Sequence, residues 1–190
     1  MPGPLEGYKV LELTSTVSGP FASMMLADQG ADVIKVEPPG IGDLARFMGA
    51  TKSGIGAMFT VLNRNKKCIC LDLKNTDDFE VLQALIKETD VLIENYRPGI
   101  VKKLGIDYDS AVKINPEIIY CSISGYGQSG PYKEKKVYDP LIQATAGTAA
   151  AQSSSNPEFF KTIVFDKVTA LTAAQSITSA LLQKERIGKG

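Results

Sequence analysis

Five short apolar runs punctuate this chain, and stretches with helical spacing of apolar residues lie between them. Tyr8 to Leu13 (YKVLEL), Ala31 to Val36 (ADVIKV), Cys68 to Leu71, Asp90 to Ile93 (DVLI) and Glu117 to Ser122 (EIIYCS) have the length and apolar content of strands. ADVIKV is apolar enough to be buried on both faces, as parallel strands are. Ser18-Gly19-Pro20 opens a helix with Pro20 in its first turn, where a missing N–H is harmless. Phe21, Met25 and Leu26 give that helix an apolar face, and Gly30 stops it. Further helices are predicted over 57–63, Asp77 to Glu88 and 139–147, with helical turns near 99–104 and 108–114. The last helix runs from about Asp166 to Glu185, with Leu171, Ala174, Ile177 and Leu181 on one face. Loops rich in Gly and Pro cover Glu37 to Asp43 and Gly125 to Tyr132, and Gln152 to Pro157 is a polar loop.

Buried strands alternating with helices predict an α/β fold, a Rossmann-like parallel sheet flanked by helices. Ligands of such sheets bind beyond the carboxyl ends of the strands. That rule points to Thr14 to Ser18, Glu37 to Gly40, Asp72 to Lys74, Asn95 to Arg97 and Ser124 to Gln128.

Size and charge narrow the function. A chain of 190 residues suits one domain. Its 21 basic and 21 acidic residues balance, which argues against nucleic acid as a partner but leaves small anions open. Cys68, Cys70 and Cys121 lack metal-ligand spacing and read as reduced thiols, so no metal site is expected. The opening residues, Met1 to Leu5, have neither a basic nor an apolar leader region, and no run reaches the roughly 18 apolar residues of a membrane span. The expectation is a soluble, cytoplasmic protein with no membrane partner.

The chain contains no histidine, which excludes Ser-His-Asp and Cys-His catalysis from its own residues. A dinucleotide site is also excluded: Thr14-Ser15-Thr16-Val17-Ser18-Gly19 is not G-x-G-x-x-G, and Glu37 reads as a solvated strand-end carboxylate. The 125–132 loop lacks the Lys-Ser/Thr ending of a phosphate-binding P-loop. Basic residues follow the later strands: Arg64, Lys66 and Lys67, then Lys74, then Arg97, Lys102 and Lys103, then Lys133, Lys135 and Lys136. Each is an ordinary solvated charge by itself; together, near the ligand edge, they suit a phosphate-bearing ligand. Asn95 and Tyr96 offer amide and stacking contacts to an adenine or a pantetheine arm. Asp166, after Thr162-Ile163-Val164-Phe165, has two compatible roles: helix N-cap and nucleophile. A helix N-terminus is expected to lower its pKa and keep it ionised, and an ionised carboxylate held close can attack a thioester.

The ordered motifs PLEGYKVLELT (4–14), SGPFASMMLADQGADVIKVEPPG (18–40), LNRNKKCICLDLK (62–74), DVLIENYRPG (90–99), INPEIIYCSISGYGQSGPY (114–132) and LLQKERIGKG (181–190) together resemble the class III CoA-transferases. That family shares its fold with the α-methylacyl-CoA racemases. The resemblance implies transfer of CoA between an acyl-CoA and a carboxylic acid through an aspartyl anhydride and an aspartyl-CoA thioester. CoA is then a substrate, and no permanently bound cofactor is implied. Asp166 falls on the family's nucleophile. Val17, Ser18, Leu71, Asp72, Leu73, Lys74, Asn95, Tyr96, Arg97, Lys103, Lys135, Lys136, Val137 and Tyr138 fall on its CoA-contacting positions.

Where the racemase branch carries its histidine this chain has Tyr138, a poor base at neutral pH, so the resemblance favours transferase over racemase or epimerase. Val17 and Pro38 replace a glutamine and an arginine of formyl-CoA transferases, which argues against formyl-CoA as substrate. Family members are considerably longer. They add a small second domain and a returning C-terminal segment, and they form interlocked dimers. The chain therefore reads as the N-terminal, CoA-binding α/β domain in partial form, residues 1–190, with those later parts absent. Its expected partners are acyl-CoA, carboxylic acids and either a second copy of itself or a complementing polypeptide. A non-catalytic CoA-binding fragment is the alternative reading.

Overall fold

In a computed structural model the protein is described over residues 2–153 and 155–190; Met1 and Ser154, the latter within the polar 152–157 loop, lie outside the described residues. Five parallel strands form the main sheet: β1 (Lys9–Leu13), β2 (Asp32–Glu37), β5 (Lys66–Cys70), β6 (Val91–Glu94) and β7 (Ile119–Ser122). Their spatial order is β5-β2-β1-β6-β7. The chain winds outward in one direction from β1 to β2 and β5, then returns to add β6 and β7 on the other side of β1. The reversal falls between β1 and β6, and crevices that hold ligands in open parallel sheets form at such a point.

Helices cover both faces. On one face α1 (Ser18–Asp28) and α8 (Val164–Ile187) pack over a core of Val10, Leu26, Val33, Val91, Ile93, Ile177 and Leu181. On the other, α3 (Thr76–Glu88) and α5 (Tyr108–Ile114) cover Leu11, Leu13, Leu92 and Ile118. Asn75 caps α3 by accepting the N–H groups of Asp77 and Asp78. Helix α1 approaches β1 so closely that a Cβ on Gly19 would collide with the Thr14 side chain, which is why glycine stands there.

Between β2 and β5 the chain makes an excursion of which the apolar pattern predicts only the closing helix, over 57–63. A 3₁₀ turn (Leu44–Phe47) leads into a short antiparallel hairpin, β3 (Thr51–Lys52) with β4 (Ile55–Gly56), and then α2 (Ala57–Leu62). Hairpin strands of two residues are too short to carry a recognisable period. The remaining short helices are α4 (Ile100–Leu104), α6 (Asp139–Thr145) and α7 (Thr148–Ala151).

The predicted strands all occur, shifted by one or two residues. The apolar face of α8 differs from expectation: Ala170, Ala173, Ala174, Ile177 and Leu181 are buried, whereas Leu171 is 55% exposed. Three small residues let α8 lie close against α1, and that close approach sets which side of the helix turns inward.

Candidate active site

A cleft of about 400 Å³ opens above the carboxyl ends of β1, β6 and β7, at the point where the strand order reverses. The β1 loop contributes Ser15, Thr16, Val17 and Ser18. The β6 loop contributes Asn95, Tyr96, Arg97 and Pro98, and the β7 loop Ile123 to Tyr126. Lys133 and Lys135 to Asp139 form a further wall, closed by Phe165, Asp166 and Thr169 of α8. Ten of the fifteen sequence-predicted site residues meet here: Val17, Ser18, Asn95, Tyr96, Arg97, Lys135, Lys136, Val137, Tyr138 and Asp166.

Leu71, Asp72, Leu73, Lys74 and Lys103 do not line this cleft. The first four follow β5, the outer strand, two places from β1. At roughly 4.8 Å between neighbouring strands, that separation takes the loop out of the crevice. Lys103 lies in the last turn of α4, with its side of the helix exposed.

Asn95 joins two of the loops that line the cleft. Its Oδ1 accepts the Ser15 N–H at 3.0 Å and its Nδ2 donates to the Ser15 carbonyl at 2.9 Å. The amide thus clamps the β1 loop to the β6 loop, and its hydrogen-bonding edge is occupied. The glycine-rich loop is stapled on itself: Tyr126 and Tyr132 meet edge to face, and Lys135 Nζ sits 3.5 Å from the centre of the Tyr132 ring. Gly125 passes so near Val137 that a Cβ there would overlap the valine side chain.

Asp166 is half-buried in the first turn of α8. It is not the helix cap. That role belongs to Asp139, which sequence reasoning missed. Asp139 Oδ2 accepts the N–H groups of Phe165 at 2.5 Å and Asp166 at 3.0 Å. Gln143 Nε2 donates to Asp139 Oδ1 at 2.5 Å, and Gln143 Oε1 accepts the Phe160 N–H at 2.7 Å. Asp139-Pro140 looked like the start of its own helix, and nothing local shows that its carboxylate serves a helix 26 residues away. The expected lowering of the Asp166 pKa is also overturned. Burial, and after it the Asp139 charge, push the Asp166 carboxyl up. The N–H groups that would have favoured its ionised form are already bound to Asp139.

Beneath the β1 loop lies a second set of charges, fully enclosed. Glu12 Oε1 accepts from Lys35 Nζ at 2.8 Å and from Thr14 Oγ1 at 2.7 Å. Its Oε2 accepts from Ser23 Oγ at 2.7 Å and lies 2.8 Å from Lys66 Nζ. Lys35 Nζ also lies 2.8 Å from Asp43 Oδ2. Burial alone would raise Glu12, but Lys35 and Lys66 outweigh it and bring its pKa down to about 2. Burial brings Lys66 down to about 8, against the pull of Glu12.

Two expectations are corrected by these pairings. Lys66 is not a ligand-edge charge, and neither are its neighbours: Arg64 pairs with Asp28 and Lys67 with Asp32, at the opposite end of the sheet. Glu37 is not solvated. It is buried and forms a two-point pair with Arg46, whose Nε and guanidinium nitrogen each lie 2.7 Å from a carboxylate oxygen.

The chain matches the family described as CoA-transferase family III over residues 5–190. It is 40% identical to human succinyl-CoA:glutarate CoA-transferase, over 98% of this chain and 43% of that protein. Acetyl-CoA:oxalate CoA-transferase of Acetobacter aceti is 38% identical, over 99% of this chain and 49% of the other. The crystal structure of a CAIB/BAIF family protein from Brucella suis superposes with a TM-score of 0.94 at 39% identity, covering all of this chain and 52% of that one. The chain spans about half the length of the curated relatives it matches.

Proposed function

This chain belongs to CoA-transferase family III, and from that premise we propose that it holds an acyl-CoA in the cleft and passes CoA to a carboxylic acid through the Asp166 carboxylate. The observation that carries the reading is the placement of Asp166: a half-buried carboxylate on the wall of a cleft also lined by Arg97, Lys133, Lys135 and Lys136. Among the described residues no side chain donates a hydrogen bond to it or forms an ion pair with it. Such a carboxylate is free to act as a nucleophile, and the cations suit the phosphates of CoA.

In the proposed reaction an Asp166 oxygen adds to the thioester carbonyl. The C–S bond breaks, CoA leaves as thiolate, and the acyl and aspartyl groups are joined as a mixed anhydride. The thiolate then attacks the aspartyl carbonyl; the acyl group departs as a carboxylate and CoA is held as a thioester on Asp166. An incoming carboxylate attacks that thioester, displaces the thiolate and forms a new anhydride. Attack of the thiolate on the incoming acyl carbonyl releases the new acyl-CoA and restores the Asp166 carboxylate. Every step exchanges one acyl activation for another, so no proton transfer by a histidine is needed. The developing oxyanion requires N–H donors. Asp139 already holds those of Phe165 and Asp166, which leaves the Gly125 loop and the start of α1.

In this reading Val17, Ser18, Tyr96, Arg97 and residues 135–138 contact the pantetheine arm and phosphates. Leu71 to Lys74 and Lys103 meet the nucleotide end, beyond the cleft. We assign to these residues the CoA-binding, nucleophile-bearing part of the reaction. The relatives' acids make succinyl-CoA with glutarate, and acetyl-CoA with oxalate, the first pairs to assay. The test is incubation with succinyl-CoA, quenching with hydroxylamine and peptide mass spectrometry. A hydroxamate at Asp166 is expected, with exchange lowered on the order of a thousandfold or more in Asp166→Ala. Exchange undiminished in that variant, or a trapped label elsewhere, overturns the assignment.

A further inference from the structure

Thr16 lines the cleft with φ 73°, a left-handed conformation that disfavours a β-branched residue. Tertiary contacts hold it there. Its N–H donates to Asp43 Oδ1 at 2.9 Å. Asp43 belongs to the loop after the neighbouring strand and is 1% exposed. The same Oδ1 accepts the Ala45 N–H at 2.9 Å, while Oδ2 lies 2.8 Å from Lys35 Nζ. Lys35 donates on to the Thr14 carbonyl at 2.8 Å. Glu37 in turn fixes Asp43 by accepting its N–H at 2.8 Å. With Asn95 clamping Ser15, each of three successive residues, Thr14, Ser15 and Thr16, is tied by its backbone to a different side chain.

We propose that Asp43 is a positioning residue for this cleft: balanced by Lys35, it holds Thr16 left-handed and so sets where Val17 and Ser18 meet the ligand. Asp43 does not itself line the cleft and acts through the Thr16 backbone. Strain kept at a ligand-facing residue by an over-determined set of contacts is how folds pre-organise a site. The ligand class rests on the acyl-CoA reading above; the latch itself does not.

The experiment has two arms, one of them independent of any ligand. Hydrogen–deuterium exchange of the segment 14–20 is compared between the wild-type chain and Asp43→Ala. At least a tenfold faster exchange is expected in that segment, with the β6 core unchanged. Asp43→Asn, which keeps an acceptor oxygen, is expected to lie between the two. In the second arm CoA is titrated calorimetrically into the same proteins and into Thr16→Gly with and without Asp43→Ala. Asp43→Ala is expected to weaken CoA binding on the order of tenfold, the scale of one strained residue released. In the Thr16→Gly background that penalty is expected to shrink to within about threefold, because glycine adopts the left-handed form without strain.

Unchanged exchange over 14–20 in Asp43→Ala overturns the proposal, and so does an equal CoA penalty in both backgrounds. If Asp43→Ala does not fold, Asp43→Asn decides: exchange and CoA affinity both equal to wild type overturn it. Failure of the wild-type chain to bind CoA refutes the acyl-CoA reading instead, and the exchange arm still judges the latch.

Discussion

Glu12 and Asp43 sit beneath the cleft with lysine nitrogens 2.8 Å away, whereas Asp139 and Asp166 stand on its wall with no ion pair among the described residues. The two sets differ in what the fold does with their charge. The lower set is closed: two carboxylates and two lysines, all with side chains 0–1% exposed, form ion pairs with one another. The upper set is open: Asp139 gives one oxygen to the start of α8 and the other to Gln143, and burial, together with the Asp139 charge, makes the Asp166 anion harder to form. Paired charges fix the frame; under the proposed function the unpaired Asp166 carboxylate is the group that reacts. Perturbed groups gather in both places, so perturbation alone would not identify the site. What sets Asp166 apart is its place on the cleft wall, on which the proposed function rests.

The contrast can be broken most forcefully from below. Glu12→Gln leaves Lys35 and Lys66 buried without their shared partner and is expected to destabilise the chain by about 3–5 kcal/mol in urea unfolding. A loss well under that range would mean that the lower set does not act as a frame. Lys66→Met is expected to cost less, since Lys66, at about 8, gives up its proton more readily than an ordinary lysine.

Acid should separate the two sets by sign. The Glu12 pKa falls from the usual 4.5 to about 2 on folding, so its contribution is full above pH 4.5 and is lost as pH drops toward 2. Asp166, whose pKa is raised, works the other way: the folded state takes up its proton more readily than the unfolded one. Urea midpoints measured across this interval are expected to fall steeply in the wild-type chain and to flatten in Glu12→Gln.

Smaller effects sharpen the upper set. Asp139→Ala removes the cap of α8 and is expected to cost about 1 kcal/mol. Asp139→Asn keeps an acceptor but removes a negative charge beside Asp166. The Asp166 pKa should then drop, and the acidic limb of the CoA-exchange rate should move to lower pH. A limb that stays in place would show that burial alone governs Asp166. Asp166→Asn is expected to change stability least, within about 1 kcal/mol and in the stabilising direction, because it relieves repulsion with Asp139; equilibrium unfolding near neutral pH checks this.

Much of this molecule is legible in its sequence. The strands and main helices follow from apolar periodicity, and the parallel sheet from their alternation. Two of the loops that line the cleft, 14–18 and 95–97, follow from the rule that ligands meet strand carboxyl ends. Local signals misled at charged positions. Lys66, before the Cys68 run, carries no mark of burial, because a lysine buried against a carboxylate looks like a solvated one until its partner is known. Glu37 misled for the same reason, its partner Arg46 lying in an excursion whose strands are too short to show a pattern.

The chain's own residues determined which segments become strands and helices, and, by containing no histidine, that any covalent acyl chemistry done by its own side chains must use another nucleophile. Tertiary structure alone decided which segments become neighbours. Strand order set β6 beside β1 and β7 beyond β6 at the cleft, and sent the 71–74 loop to the outer edge on the other side. It also brought Asp139 to the start of α8 and Asp43 to Thr16. Periodicity is a property of one segment and its water-facing side, and can be read along the chain. Hydrogen bonds and charge pairs depend on distances between segments, and those exist only once the sheet is assembled.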